Sequence, residues 1–245
     1  MSDRAVQDEV IRYLADASVR QLPSHAAPIS VEGEEKAERF ARFLARRYYR
    51  DRLARSFRYS HRFHHEIGRT AEEIVDGAEF SEFLDQCVMG SLESAHCVGE
   101  MARKYLLAAR RAGWWPELLD YEFFYFLQAA TTERAASIDR PSQSVSAVCR
   151  RFAWSLPEML PRLRAQEPIG DDLQRGVTLL FSRTHAGQIY VVELEPAMEA
   201  VFRCADGQRS AREVIAEAGV SAEQARSMLA ALADIGAIQP AVLPS

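Results

Sequence analysis

Residues 191–239 read VVELEPAMEAVFRCADGQRSAREVIAEAGVSAEQARSMLAALADIGAIQ, an apolar strand followed by three short helical patterns. Just upstream, GVTLLFSR and GQIYVVELE are strand-like runs joined by the turn THAG, which predicts a β-hairpin. The helices are expected at about 196–204, 210–218 and 221–235. The start signals are Ser210 and Ser221 as N-caps, with Glu213 in a capping box, and Gly207 and Gly236 mark turns or C-caps. A hairpin with three helices is the outline of a winged helix.

The chain upstream of this stretch is helical in pattern from about Glu34, with an aromatic helix that opens at Pro116. The first long helix carries a rough apolar stripe at Phe40, Phe43, Leu44, Tyr48, Leu53 and Phe57. We therefore expect a mainly α protein with a small α+β part: an N-terminal helical domain and a C-terminal winged-helix domain with a β-hairpin. The predicted ranges are a polar, partly mobile segment 1–33, a helical domain 34–140, a proline-broken connector 141–174 and the winged helix 175–245.

Composition sets broad limits on the class of protein. Of the 245 residues 48% are apolar and 27% charged, with a net charge of −5, which is typical of a globular protein in water. No apolar run approaches the roughly 20 residues that cross a bilayer, and the first residues show no secretory signal. The four cysteines are scattered without CxxC spacing, so we expect reduced thiols and a cytoplasmic protein with no membrane partner.

The charge of the C-terminal stretch argues against nucleic acid as its partner. A winged helix that reads DNA places cations on its last helix, because neutralising phosphates dominates affinity. From Gly176 to the end there are five arginines, no lysine and eight acidic residues, and the last helix carries only Arg226 as a cation. A winged-helix transcription regulator therefore remains an alternative only.

A strand beside a helix can instead accept a peptide as an added strand. On this hypothesis the strand is the platform and one side of the last helix is the opposite wall. The strand residues are Gln188, Ile189, Tyr190, Val191, Val192 and Glu193, and the helix residues are Gln224 and Met228. Core packing is the alternative for Tyr190, Val192 and Leu194, and the pattern does not decide which strand face points outward.

Two stretches resemble families of known role. The stretch 191–218 resembles the peptide-recognition elements of ribosomal peptide natural-product pathways. The residues that carry this resemblance are Leu194, Pro196, Ala200, Cys204, Asp206, Gly207, Arg209, Ser210, Glu213 and Val214. The chain from about 35 to 245 resembles the partner proteins of multinuclear non-haem iron oxidative enzymes, through EEIVDGAEFSEFLDQCV (72–88) and the order of elements from SLPEML (155–160) to LLFSRTHAGQIYVVELEP (179–196).

The resemblance implies a non-catalytic accessory subunit that holds no cofactor, the iron being in the partner enzyme. Such a subunit binds the leader of a precursor peptide and forms a heterodimer with the oxidase. A thiaglutamate-type pathway, which acts on a C-terminal cysteine, is the specific expectation, with a methanobactin-type pathway as the other member of the class.

An enzyme hypothesis rests on Glu93 and His96, an E-x-x-H pair that lies one helical turn apart and can ligate one metal ion. Histidines 61, 64 and 65 with Glu66, and Glu122 and Glu133 on the aromatic helix, are further candidate ligands. A di-iron centre uses two such pairs plus two more glutamates, and only one pair is evident. A di-iron oxidase or metal-binding enzyme is therefore the alternative to the accessory subunit.

One segment of the helical domain is strongly basic. Between Lys36 and Arg62 there are ten lysines or arginines and two acids. A solvated helix face explains this pattern, since arginine stems also cover apolar surface. The functional alternative is a dock for an acidic protein surface or an acidic leader.

Overall fold

The computed structural model describes residues 31–85, 87–109, 113–131 and 140–239. They form two compact units, one within Met1–Arg110 and Ala130–Thr132, the other within Arg111–Ala129 and Glu133–Ser245. The described residues are mainly helical with a small antiparallel sheet part, as expected for the fold class at that level. Almost all of the predicted mobile segment 1–33 lies outside the described residues.

The first unit is helical throughout its described residues. Its helices are α1 Val31–Ser56, α2 His64–Ile67, α3 Ala78–Leu84 and α4 Leu92–Leu107, with 3-10 turns at Ser60–Phe63 and Ala71–Asp76. The core forms where α1 buries Tyr49 and Leu53 completely. The Tyr49 hydroxyl donates to Ser94 Oγ on α4 at 2.7 Å, so this buried polar group is satisfied.

The buried stripe of α1 differs from the predicted one. The side chains buried on α1 recur every four residues at Ala41, Ala45, Tyr49 and Leu53. Phe40 and Phe43 are instead 52% and 57% exposed, so the prediction was wrong for these two. The positions of the large apolar residues do not locate the buried side of α1, because two of the residues on that side are alanines.

The second unit combines helices with two antiparallel sheets. Its helices are α5 Trp115–Ala130, α6 Leu156–Ala165, α7 Pro196–Cys204, α8 Ala211–Glu217 and α9 Ala222–Asp234, with a 3-10 turn at Asp171–Leu173. Its strands are β1 Ser142–Gln143, β2 Val148–Phe152, β3 Val177–Arg183, β4 Ile189–Glu193 and β5 Ile238–Gln239. The larger sheet has the order β2-β3-β4, and β1 pairs with β5. The predicted hairpin and its three following helices are confirmed.

Both faces of the larger sheet are covered by helices. On one face Leu180 of β3 belongs to an apolar core built mainly from α7, α8 and α9. On the other face the Phe181 ring lies 5.4 Å from that of Tyr121 and 5.5 Å from that of Phe124, both on α5. Successive strand residues point to opposite faces, so β3 is buried on both sides.

The predicted connector 141–174 contains regular structure. β2 is a strand of the larger sheet, and α6 continues through Pro161. A proline inside a helix leaves the carbonyl four residues earlier without its partner. That carbonyl belongs to Pro157, and both prolines lie on the exposed side of α6, where water is available. The expectation that prolines break this segment was therefore wrong for Pro157 and Pro161.

Glu117 joins α5 to the end of β2. Its carboxylate accepts hydrogen bonds from the backbone N–H of Ala153 at 2.8 Å and of Trp154 at 2.9 Å. Glu117→Ala leaves both donors without this acceptor, so we expect the free energy of unfolding of the second unit to fall by about 1–3 kcal/mol. All three tryptophans belong to this unit, so denaturation followed by tryptophan fluorescence measures the loss.

The control for this variant is Glu167→Ala, at an exposed carboxylate of the same unit. We expect that change to alter stability by less than about 0.5 kcal/mol. Equal losses in the two variants would show that the Glu117 contacts do not stabilise the unit.

Candidate functional site

Strand β4 has one free side. It pairs antiparallel with β3, from Arg183 opposite Ile189 to Leu179 opposite Glu193, and with no other strand of the described residues. The turn that joins β3 to β4 is closed by the N–H of Thr184, which donates to the carbonyl of Gln188 at 2.9 Å. The predicted platform strand is therefore an edge strand.

The hydrogen-bond pattern identifies the backbone groups at this edge. The N–H of Leu194 donates to the carbonyl of Thr178 at 2.8 Å, so the backbone groups of Leu194 point towards β3. Inward and outward residues alternate along an antiparallel strand. Gln188, Tyr190 and Val192 therefore direct their backbone groups at β3, whereas Ile189, Val191 and Glu193 direct theirs outward.

The register also assigns the side-chain faces of β4, since residues directly opposite one another in a pair share a face. Val192 is opposite Leu180, on the side of α7, α8 and α9, and Tyr190 follows on that face. Val191 is opposite Phe181, on the side of α5, together with Ile189 and Glu193. Residues 189–192 are half-buried, whereas Gln188 and Glu193 are exposed.

Gln224 and Met228, predicted to form the opposite wall of the peptide site, have different surroundings. The Gln224 side-chain oxygen accepts from the N–H of Ser221 at 3.3 Å, which completes the capping box of α9. Gln224 is exposed, and Met228 is half-buried against the core that also contacts Val192. Helix capping therefore accounts for Gln224, and packing accounts for part of the Met228 surface.

The sequence ADGQRS forms the turn between α7 and α8. Asp206 Oδ1 accepts from the N–H of Gln208 at 2.9 Å and of Arg209 at 3.2 Å, while Gly207 adopts a φ of +80°. Ser210 and Glu213 form the predicted capping box of α8. The motif thus orders the start of α8, and its Asp, Gly, Ser and Glu each have a structural role.

The Asp206 carboxylate makes this turn sensitive to acid. The hydrogen bond from the Gln208 N–H, followed by that from Arg209 and by the Arg209 charge, lowers the pKa of Asp206. A lowered pKa in the folded state stabilises the fold above the ordinary value of about 4 and loses that contribution as the pH falls through the lowered value. We expect Asp206→Asn to flatten the fall of the denaturation midpoint below about pH 4.

The control is Asp234→Asn, at an exposed carboxylate on the last turn of α9. This variant removes the same charge without altering the Asp206 turn, so it controls for the change in net charge. Parallel pH curves for the unchanged chain and Asp206→Asn would contradict the assignment.

The alternative metal ligands are dispersed. Glu93 and His96 both lie on the exposed side of α4. Glu122 is buried on α5, in the other unit, and Glu133 lies outside the described residues. Within the ranges that the structure describes, no three His, Cys, Asp or Glu side chains are grouped so that they could hold a metal ion.

The histidine-rich segment forms a surface cluster. The rings of His61 and His64 stack at 5.1 Å, and those of His64 and His65 lie 3.6 Å apart. His61 Nδ1 lies 3.6 Å from a carboxylate oxygen of Glu72. Ring contacts, the Glu72 carboxylate and the approach of His64 Nδ1 to the His61 carbonyl oxygen at 3.1 Å hold the cluster together.

Several arginines of the basic segment form pairs inside the first unit. Arg42 contacts Asp85 at 2.7 Å and Arg50 contacts Asp76 at 2.6 Å. The exposed side of α1 then carries Phe40, Phe43 and Arg47 at spacings of three and four residues. Sequence analysis missed this exposed aromatic pair, because an apolar residue in a helix is ordinarily assigned to the core.

No protein-family model matches the chain, and no curated protein matches it in sequence. None of the helices in the described ranges combines the length and the apolar character needed to cross a bilayer.

Proposed function

We propose that this chain is a non-catalytic subunit that binds the leader of a ribosomally made precursor peptide and presents the precursor to an iron-dependent oxidase. The observation that carries the proposal is the edge of β4, where Ile189, Val191 and Glu193 direct their backbone groups away from the sheet. In this proposal β2–β4 and α7–α9 are a winged helix that binds its partner through the edge strand.

A peptide strand is the ligand that suits such an edge. Unpaired N–H and C=O groups in a row are a template for another strand, and edge strands ordinarily carry charges or proline to prevent pairing. The run Ile189–Val192 carries neither. Each main-chain hydrogen bond contributes about 0.5–1.5 kcal/mol net, so the alternating side chains must supply the rest of the affinity and the choice of peptide.

The second edge of the sheet is less suited to this role. The register of β2 against β3 directs only Cys149 and Arg151 outward, because Val148, Arg150 and Phe152 face β3. Two of the five residues of β2, Arg150 and Arg151, are charged and exposed, which is a common means of preventing strand addition, whereas β4 carries one charge, Glu193, at its end. Of the two edges of the sheet, β4 is therefore the better suited to strand addition.

Presentation of the precursor follows from binding its leader. When the leader is bound, the core peptide reaches the oxidase within one complex rather than by diffusion. The effective concentration of the core peptide at the oxidase is then about 1 mM for a short flexible linker. In this proposal the iron belongs to the oxidase, and this chain positions the precursor peptide. Phe40, Phe43 and Arg47 on the exposed side of α1 are suited to contact with an oxidase surface that is apolar and acidic.

The two other candidate functions have less support. A DNA-binding winged helix needs cations that the stretch from Gly176 onward lacks, since acids outnumber arginines there. A di-iron oxidase needs ligands on facing helices. Glu93 and His96 instead lie on the exposed side of α4.

Site-specific cross-linking tests the proposal with the full chain. A photoreactive phenylalanine is placed at Val191 or, as the matched control, at Arg151, and the precursor and oxidase of one pathway are added. We expect cross-links to the leader from position 191 only, and co-elution of chain and oxidase in size-exclusion chromatography. Equal cross-linking from both positions, or separate elution of chain and oxidase, would overturn the proposal.

A further inference from the structure

Glu193 ends the uncharged part of β4. Its side chain is exposed, and among the described residues its carboxylate has neither a hydrogen bond nor an ion pair. It lies opposite Leu179 of β3, so its neighbour within the sheet is apolar. On the other side of Glu193 in the plane of the sheet, no strand of the described residues is paired with β4.

An added strand fills that position. Because Glu193 directs its backbone groups outward, the peptide residue opposite it is joined to it by hydrogen bonds in antiparallel addition. Directly opposite residues have Cβ atoms about 4.5–5.5 Å apart and share a face. The peptide residues opposite Val191 and Ile189 continue on that face, and those beside Val192 and Tyr190 lie on the other face.

We infer that the peptide bound at β4 carries a lysine or arginine beside Glu193, at one end of a run of four or five apolar residues. A basic side chain satisfies the Glu193 carboxylate, whereas an acidic one in that position is repelled. Apolar side chains cover the half-buried residues 189–192 on both faces. Glu193 thereby fixes the register of the peptide, since a slip of one residue moves every side chain to the opposite face.

This inference rests on the proposed function, and its test separates the two. Random twelve-residue peptides are displayed and selected against three full-length proteins: the unchanged chain, Glu193→Lys and Val191→Pro. We expect the unchanged chain to enrich a basic residue at one end of an apolar run, and Glu193→Lys to enrich an acidic residue at the same place. For individual peptides, matched charges should bind about three- to tenfold more tightly than mismatched ones, as for exposed cross-strand charge pairs.

The outcomes are distinguishable. Peptides that lose affinity for Val191→Pro but show the same charge preference for the unchanged chain and for Glu193→Lys would overturn the inference and leave peptide binding at β4 intact. Peptides that bind Val191→Pro as tightly as the unchanged chain, or no enrichment at all, would overturn both. Circular dichroism of Glu193→Lys serves as the fold control, and Glu193→Gln, which should show no charge preference, confirms that charge is the cause.

Discussion

Replacing Val191 by proline is expected to weaken leader binding by about five- to 150-fold while the second unit stays folded. The N–H of residue 191 points away from β3, so proline removes no hydrogen bond of the existing sheet. It does remove one donor to the added strand and leaves a peptide carbonyl without its partner, which costs about 1–3 kcal/mol. A loss of about 1.4 kcal/mol is a factor of ten in affinity. Fluorescence anisotropy of a labelled precursor measures the loss.

The matched control is Arg151→Pro on β2. Residue 151 also directs its N–H outward, so the same chemical change is made at the other edge of the same sheet. This variant should bind the leader as the unchanged chain does. A loss shared by both variants would indicate a general disturbance of the sheet, and binding unchanged by Val191→Pro would place the peptide elsewhere.

Replacing Gly236 by alanine is expected to lower the free energy of unfolding of the second unit by about 2–5 kcal/mol. Gly236 follows α9 with a φ of +73°. A Cβ atom there would lie 2.3 Å from the carbonyl oxygen of Arg183 and 2.9 Å from the Cα of Thr184, so backbone would have to move. The end of α9 and the end of β3 approach too closely for any side chain. Denaturation followed by tryptophan fluorescence measures the change.

Gly219→Ala is the control that separates conformation from contact. Gly219 has a φ of +68°, but among the described residues, its own chain neighbours aside, no atom lies within 4 Å of where a Cβ atom would stand. Only the left-handed conformation is then penalised, at about 1–2 kcal/mol. The difference between the two variants measures the close approach of α9 to β3, and equal losses would show that this approach is not rigid.

The hairpin and its helices could be predicted because their signals are local. THAG closes the hairpin, and Ser210 and Ser221 each bond a backbone N–H three residues later. These hydrogen bonds join residues that are close in the sequence, so local sequence patterns are enough to predict them.

The elements that sequence analysis missed depend on distant residues. β2 is a strand because β3 pairs with it, although Arg150 and Arg151 interrupt its apolar pattern. Phe40 and Phe43 are exposed because alanines face the core of the first unit. The spacing of apolar residues predicts neither the pairing of β2 nor the exposure of these two aromatic residues, because both depend on residues that are distant in the sequence.

The faces of the candidate site could not be predicted for a related reason. Residues 189–192 read IYVV, with no alternation of apolar and polar residues. That pattern suits a strand in a sheet with helices on both faces, as β3 shows with α5 on one face and the core of α7–α9 on the other, and it does not distinguish the sides. The register with β3 supplied the missing information.

The pairing of β1 with β5 has a consequence for the order of folding. Ser142 pairs with Gln239, nearly a hundred residues later, whereas β3, β4 and α7–α9 are consecutive in the chain. Contacts between distant residues form slowly because a long loop must first be closed. During synthesis the hairpin and its helices can therefore assemble first, with Ser142 of β1 bridged to Asp206, and the β1–β5 pair forms only when Gln239 has been made.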